Sequence, residues 1–418
     1  GEPGAETWED GSSGRTGGAN VWSTITADLE RGLVFLPVST AGPDFYGGDR
    51  AGANLFTDSV VALEARSGKR VWHFQTVHHD LWDYDLAAPP MLVRVRREGR
   101  VIDAVAQATK TGFVFLLDRD DGTPLFPVEE RPVPPSEVSG ERAWPTQPVP
   151  TRPPPLVPQR LTESDLWDAD PARRERCIAR LRKLRNDGLF TPPSEQGSIL
   201  YPSTAGGANW SGGAFDPGTG LLYVPANNFA HTIRLRWLGE ENFDRTGGIV
   251  MGFRRSPVGG LRWLFTGKGT GLRYDMVRQR FIERGFPCNR PPWGTLSAVD
   301  LDRGEIRWQA PVGQTKDGIE GTLNYGPPLV TAGGLVFLGG GLDSRFRAYD
   351  ADSGDVLATF DLPAGLHAGP MTYRLPEDGR QYLVVAPGGH VNLGSKLGDH
   401  VIAYALPGGA VRAGDPRR

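Results

Sequence analysis

Five side chains able to do chemistry, His78, His79, Asp80, Asp83 and Asp85, are interleaved with Trp82 and Tyr84 in the segment VWHFQTVHHDLWDYDL, residues 71–86. Carboxylates and imidazoles this close can supply a general base, a metal ligand, or both. Charged groups set among aromatics are costly to desolvate. The stretch is therefore either a reactive loop or a polar connection whose aromatics cover the edge of a core. For His78 and His79 a structural role is favoured over one in orienting Asp80 or a substrate. Trp22, in GGANVWST, is a flat stacking surface or part of a sheet core. Lys110, in ATKTGFVFLLD, stands at a strand entrance, where it pairs with a ligand oxygen or is an ordinary exposed lysine. Asn209, in GGANWSGG, echoes the earlier segment and either meets a ligand edge or holds a turn. Asn324 and Tyr325, in GTLNYGPP, carry the same two readings.

These residues must be positioned by β-structure. One pattern is an Asp, a turn, a Gly and an apolar strand, as in TADLERGLVFLPV (26–38) and AFDPGTGLLYVPA (214–226), with a looser copy in LVTAGGLVFLGG (329–340). The other is a strand, an acidic residue, a Gly turn and a second strand. It occurs in VALEARSGKRVWHF (61–74), FLLDRDDGTPLFPV (115–128), SAVDLDRGEIRWQA (297–310) and RAYDADSGDVLATF (347–360). The acidic residue favours the turn, Gly supplies a positive φ, and alternating apolar residues bury one face, so each is a hairpin. The spacing from Glu64 to Asp118 and from Asp300 to Asp350 is about fifty residues, a period of four-stranded propeller blades. The expected fold is all-β, a propeller of four-stranded antiparallel blades forming one domain over 1–418 with strand signals for about five blades.

An insertion at about 129–195 breaks the rhythm. Its Pro-rich first part should be extended and surface-lying, and LTESDLWDADPARRERCIARLRKLRNDGLF (161–190) reads as a helix with a solvated charged face. A second irregular region, about 229–292, is rich in Arg and Trp and receives no assignment.

The 418 residues carry 56 Gly, 36 Pro and a formal charge of -3, which favours many turns and gives no reason to expect nucleic acid or an anionic membrane as partner. No apolar run reaches the roughly 20 residues needed to cross a bilayer. The chain starts at Gly1 in a polar segment without Met, so further residues, with N-terminal blades and a membrane anchor among the options, are expected to precede it. Cys177 and Cys288 form no CxxC pair and no haem attachment motif. Two separate buried thiols are favoured over a long-range disulfide, which only an oxidising compartment would allow.

The run QTVHHDLWDYDL, with TKTGFVFLLDR after it, then FTPPSEQGSILYPSTAGGANWSGGAFDP, PCNRPPWGTLSAVDL and DGRQYLVVAPGGH, resembles the quinoprotein dehydrogenases that use pyrroloquinoline quinone. Within them it is most similar to the periplasmic domain of the membrane-bound glucose dehydrogenase and its soluble relatives. The resemblance implies an eight-bladed propeller with the quinone near the axis, stacked on a tryptophan beside Ca²⁺ or Mg²⁺. By this resemblance Asp80 is the catalytic aspartate, which also approaches the metal, Trp22 is the stacking residue, and Lys110 meets the quinone oxygens. Asn209 and Tyr325 flank the cofactor.

Gly42 stands where methanol-oxidising relatives carry a metal-binding Asn, and the adjacent-cysteine disulfide of those enzymes is absent. The family's other acidic metal ligand and several quinone contacts belong to upstream blades. The expected activity is oxidation of a sugar or other alcohol by hydride transfer to the quinone, with electrons passed to ubiquinone or a separate acceptor, in the periplasm or outside the cell. The competing expectation is a non-catalytic propeller that binds other proteins.

Overall fold

The computed structural model describes residues 2–14, 16–238, 273–376 and 379–405. The interior of the Arg- and Trp-rich stretch, 239–272, lies outside them.

The anticipated hairpins form, and they assemble in chain order. Strands β1 (Thr26–Asp28), β2 (Leu33–Pro37), β3 (Ser59–Glu64) and β4 (Arg70–Gln75) make one antiparallel sheet. Strands β5 (Met91–Arg97), β6 (Arg100–Ala108) and β7 (Val114–Asp118) make the second. A fourth strand is reduced there to one bridge between Leu117 and Pro124, because Pro124 and Pro127 have no N–H for a ladder. Next come β8 (Val128–Pro132) and β9 (Thr146–Pro150), a two-stranded ribbon, and helix α1 (Pro171–Leu181).

Seven strands then carry the chain from β10 (Ser198–Leu200), β11 (Ala214–Asp216) and β12 (Leu221–Asn227) to β13 (His231–Trp237), β14 (Tyr274–Arg280), β15 (Ile282–Glu283) and β16 (Phe286–Pro287). With β17 (Gly294–Asp300) and β18 (Glu305–Pro311), β11 and β12 complete a third sheet, while β10, β13 and β14 form a separate one. Strands β19 (Leu329–Thr331), β20 (Leu335–Leu338), β21 (Arg345–Asp350) and β22 (Val356–Asp361) build the fourth propeller sheet. Strands β23 (Met371–Arg374), β24 (Gln381–Val385) and β25 (Ile402–Ala405) build a fifth.

The sheets are joined by a repeated contact. Trp72, Phe126 and Trp308 each sit four residues after a turn glycine, and each covers the turn glycine of the following sheet. A Cβ on Gly122 would lie 2.6 Å from Trp72, one on Gly304 2.5 Å from Phe126, and one on Gly354 2.6 Å from Trp308. The two indoles also donate across the joint, Trp72 to the Arg119 carbonyl and Trp308 to that of Ala351, both at 3.0 Å. Glycine is needed twice over, for its φ near +76° at Gly122 and for the absence of a side chain under the ring. Strands β12 and β17 are buried along their whole length, as expected where sheets cover both faces.

Three expectations are corrected. The helix is shorter than 161–190, because Asp170 caps it, accepting from the Arg173 N–H at 3.1 Å, and Pro171 is preset for a first turn. The Pro-rich segment is extended but not all at the surface, since Gln147 and Val149 in β9 are buried. Cys177 and Cys288 are not separate thiols; they form a disulfide. Arg176 and Arg180 of α1 bind Glu283 on β15, and Leu166, Leu181 and Phe281 pack between them. That docking brings the two Cα atoms to 5.8 Å across 111 residues of sequence.

Gly99 has the same φ of +76° as Gly122 but open space where a Cβ would go. Gly122→Ala is therefore expected to cost about 1–3 kcal/mol more than Gly99→Ala, the penalty for overpacking against Trp72. Urea unfolding of both variants measures the difference, and equal losses would refute the joint. Replacing both cysteines by Ser should lower stability by about 2–5 kcal/mol in the same assay.

Candidate active site

The loop after β4 is shaped by its own backbone. The two oxygens of Asp80 accept from the N–H groups of Trp82 and Tyr84, both at 2.8 Å, which curls the loop around a fully buried carboxylate. From there the side chains alternate. Trp82 and Tyr84 point into the core, the indole donating to the Thr191 carbonyl at 2.8 Å and the phenol to that of Pro202 at 2.6 Å. Asp83, at φ 59°, and Asp85 face the other way, into a cavity of about 690 Å³. Aspartate tolerates the left-handed region better than most residues.

The back of the loop rests on buried polar groups. Arg50, wholly buried, donates to the Asp80 carbonyl, to Asn54 at 3.0 Å and to the Pro43 carbonyl at 3.0 Å. Burial pulls its pKa down against the raising effect of Glu141 and Asp80. His79 shares hydrogen bonds with the Gly52 carbonyl at 2.9 Å and with Glu141 at 3.0 Å. The His78 ring pairs with Gln75 at 2.6 Å. Neither histidine lines the cavity.

Lys110 enters from the β6–β7 turn. It is neither exposed nor free, because its ammonium donates to the Asp83 carboxylate and carbonyl, both at 2.9 Å, and to Asp85. Burial would lower its pKa, but Asp83 and Asp85 outweigh that and raise it. Asp83 is pushed up to about 8, first by burial and then by Asp85, against the pull of Lys110. Burial pushes Asp80 up to about 6, opposed by its two backbone donors and Arg50.

Trp22 is 45% exposed, not core; its indole N–H donates to Asp85 at 2.7 Å. Trp210 meets it edge-on, 6.0 Å away and at 87°, and lies 5.8 Å from Tyr325. Tyr325, its pKa pushed up to about 12 by burial, and Asn209 both line the cavity. Asn209 also holds its own turn, accepting from the Trp210 N–H at 2.9 Å. Asn324 does not line it, since its side chain bridges the Gly339 carbonyl and the Gly326 N–H.

The structure thus brings Trp22, Lys110, Asn209 and Tyr325 to one cavity and leaves Asp80 behind its wall. Of the three loop aspartates, Asp83 and Asp85 line the cavity, whereas both Asp80 oxygens are committed to the loop backbone. Asp83 and Asp85 lay in the recognised stretch, and their spacing of two from each other was the available signal. Asp44, Trp210, His231, Arg278, Arg280 and His390 also line the cavity; Trp210 and His390 lie in segments quoted for the resemblance but were not singled out, and the others had no such signal.

A planar, multiply charged cofactor suits this lining of two half-exposed indoles, a tyrosine and three cations. A cation cage is not present: among the described residues no group of three or more His, Cys, Asp or Glu is arranged to hold a metal. Lys110 occupies Asp83 and Asp85, and Gly42 offers no side chain.

Residues 1–383 match the sequence profile of the PQQ glucose/ethanol/alcohol dehydrogenase β-propeller domain. Over 93% of its length the chain is 37% identical to a probable quinate dehydrogenase (quinone) of Xanthomonas campestris pv. juglandis, covering 50% of that protein. It is 34% identical to the quinoprotein glucose dehydrogenase of Escherichia coli K12, again over 93% of this chain and 49% of the relative. The quinohemoprotein alcohol dehydrogenase of Comamonas testosteroni superposes with a TM-score of 0.63 at 25% identity, over 97% of this chain and 52% of that one. The chain spans about half the length of the relatives it matches.

Lys110→Met would leave the buried Asp85 and the partly buried Asp83 without their cation, an expected loss of about 3–5 kcal/mol. Without Lys110 the pKa of Asp83 lies still higher, and protonation relieves the repulsion, so the loss should shrink as pH falls from about 10 to about 8, above Asp83's wild-type value of about 8. Unfolding of wild type and variant at the two pH values tests this, and a pH-independent difference would contradict it.

Proposed function

The chain belongs to the PQQ glucose/ethanol/alcohol dehydrogenase β-propeller family, and from that premise we propose that its cavity is the quinone and substrate site of a dehydrogenase acting on a sugar or other small alcohol. The observation that carries this is the placement of Asp83, a cavity-facing carboxylate fixed by Lys110 beside a half-exposed Trp22.

Trp22 offers the flat face on which the quinone would rest, with Lys110, Asn209 and Tyr325 around its edge. Pyrroloquinoline quinone, when bound, supplies the two-electron acceptor for the substrate's hydride. Asp83 takes the hydroxyl proton as the substrate C–H bond gives up its electron pair, and the alcohol leaves as a carbonyl compound. Lys110 keeps Asp83 and Asp85 in place and puts positive charge where the quinone oxygens would lie. Trp82 and Tyr84 keep water from the back of the loop. Asp80 acts through geometry, fixing the turn that presents Asp83.

A Ca²⁺ or Mg²⁺ ion belongs to the family expectation, but this chain's side chains do not by themselves form its site, and no step is assigned to it. Ubiquinone or a separate carrier would take the electrons onward. The disulfide supports a periplasmic or secreted location, since such bonds persist in oxidising compartments.

In dye-linked assays of the full-length protein with added quinone, Asp83→Asn should lower kcat about 10²–10⁴-fold while leaving quinone uptake intact. Wild-type activity should rise with pH through about 8, because the base must lose its proton and burial has raised its pKa. That rise should vanish from the residual activity of Asp83→Asn. An active Asp83→Asn beside an inactive, folded Asp80→Asn would return the role to Asp80.

A further inference from the structure

Two arginines reach the cavity from β14, a strand of the separate sheet inserted between β12 and β17. In the β13–β14 register Arg280 lies opposite His231 and Arg278 opposite Ile233, so the arginines share one face. Arg278 is committed, its guanidinium 3.4 Å from Asp83 and 3.1 Å from the Thr204 hydroxyl. Arg280 lines the same cavity but forms no ion pair or side-chain hydrogen bond with any described residue.

Among the described residues no other group lining the cavity cancels that charge. Asp83 and Asp85 are shared by Lys110 and Arg278. Asp44, the remaining acid of the lining, has its pKa raised by burial. His231, facing Arg280, is held neutral, because burial and then the two arginines pull it down to about 3. Among the described residues the cavity therefore presents one uncommitted guanidinium, which is exposed to solvent.

We infer that Arg280 is a specificity residue that receives a carboxylate, and that the preferred substrate is a polyhydroxylated acid rather than a neutral polyol. The inference rests on the dehydrogenase reading above and names its substrate class. Arg280 stands two residues along the strand from Arg278, a separation of about 6.8 Å, and Arg278 touches Asp83. A hydroxyl at Asp83 and a carboxylate at Arg280 thus belong to one molecule when several bonds separate them, as across a six-membered ring. The planar guanidinium fork can take both oxygens of such a carboxylate. The quinone's own carboxylates offer the same chemistry. Arg280's exposure to solvent, in contrast to the buried Lys110, favours the molecule that enters last.

The test compares quinate with glucose, glycerol and myo-inositol on the full-length, quinone-loaded protein, wild type against Arg280→Gln and Arg280→Lys. Quinone affinity is followed separately by quenching of tryptophan fluorescence. The wild type should show at least tenfold higher kcat/KM on quinate than on any neutral polyol. Arg280→Gln should lower that ratio at least tenfold, through KM, and Arg280→Lys should restore part of it. A tenfold weaker quinone affinity in Arg280→Gln with an unchanged ratio would assign the arginine to the cofactor and overturn the inference. Turnover of neutral polyols without preference for quinate would overturn it too and leave the dehydrogenase reading standing. No turnover of any alcohol by loaded wild type would remove both.

Discussion

One buried lysine shared by two carboxylates at the wall of the cavity is the constraint on which the site depends. An exposed ion pair is worth about 0–1 kcal/mol, but a buried one whose partner is displaced leaves a charge with nowhere to go. Lys110 must therefore stay within hydrogen-bond reach of Asp83 and Asp85. The groups come from different loops, one following β4 and one joining β6 to β7. The arrangement survives only if those loops cannot drift.

Two sets of contacts hold them. Behind the first loop, Arg50 grips the Asp80 carbonyl and His79 is held by Glu141, while Trp82 and Tyr84 are tied to the carbonyls of Thr191 and Pro202, more than a hundred residues away. Between the sheets, Trp72 on β4 covers Gly122 in the turn that follows β7. The strand that ends at the acidic loop is thereby docked on the sheet that carries Lys110. A contact between sheets thereby helps set the spacing of Lys110 and its two carboxylates across the cavity wall.

The inserted sheet adds what the repeated hairpins do not. Strand β14 belongs to no propeller sheet, yet it lays Arg278 across Asp83 and Arg280 beside the opening. The regular sheets supply a frame and an aromatic wall, and the irregular segment supplies two of the cavity's three cationic side chains. The disulfide between α1 and the strand pair after β14 fastens that segment to the rest.

Local sequence determined the hairpins, since an acidic turn residue, a glycine and an alternating strand act over a dozen positions. Composition also marked the acidic stretch, whereas Trp22, Lys110, Asn209 and Tyr325, each open to a structural reading in its own segment, were assigned to a cofactor by the resemblance to the quinoprotein dehydrogenases. Which aspartate faces the cavity was not legible. Asp80, Asp83 and Asp85 share one loop, and their directions depend on backbone bonds to Asp80 and on anchors for Trp82 and Tyr84 contributed by distant chain. The same holds for Cys177 and Cys288, joined only once α1 docks on β15, and for Arg280, an unremarkable residue until β13 and β14 bring it to the cavity. Turn chemistry and periodicity are local and can be read along the chain, whereas the direction of a side chain and the partner of a charge are settled by segments that meet only after folding.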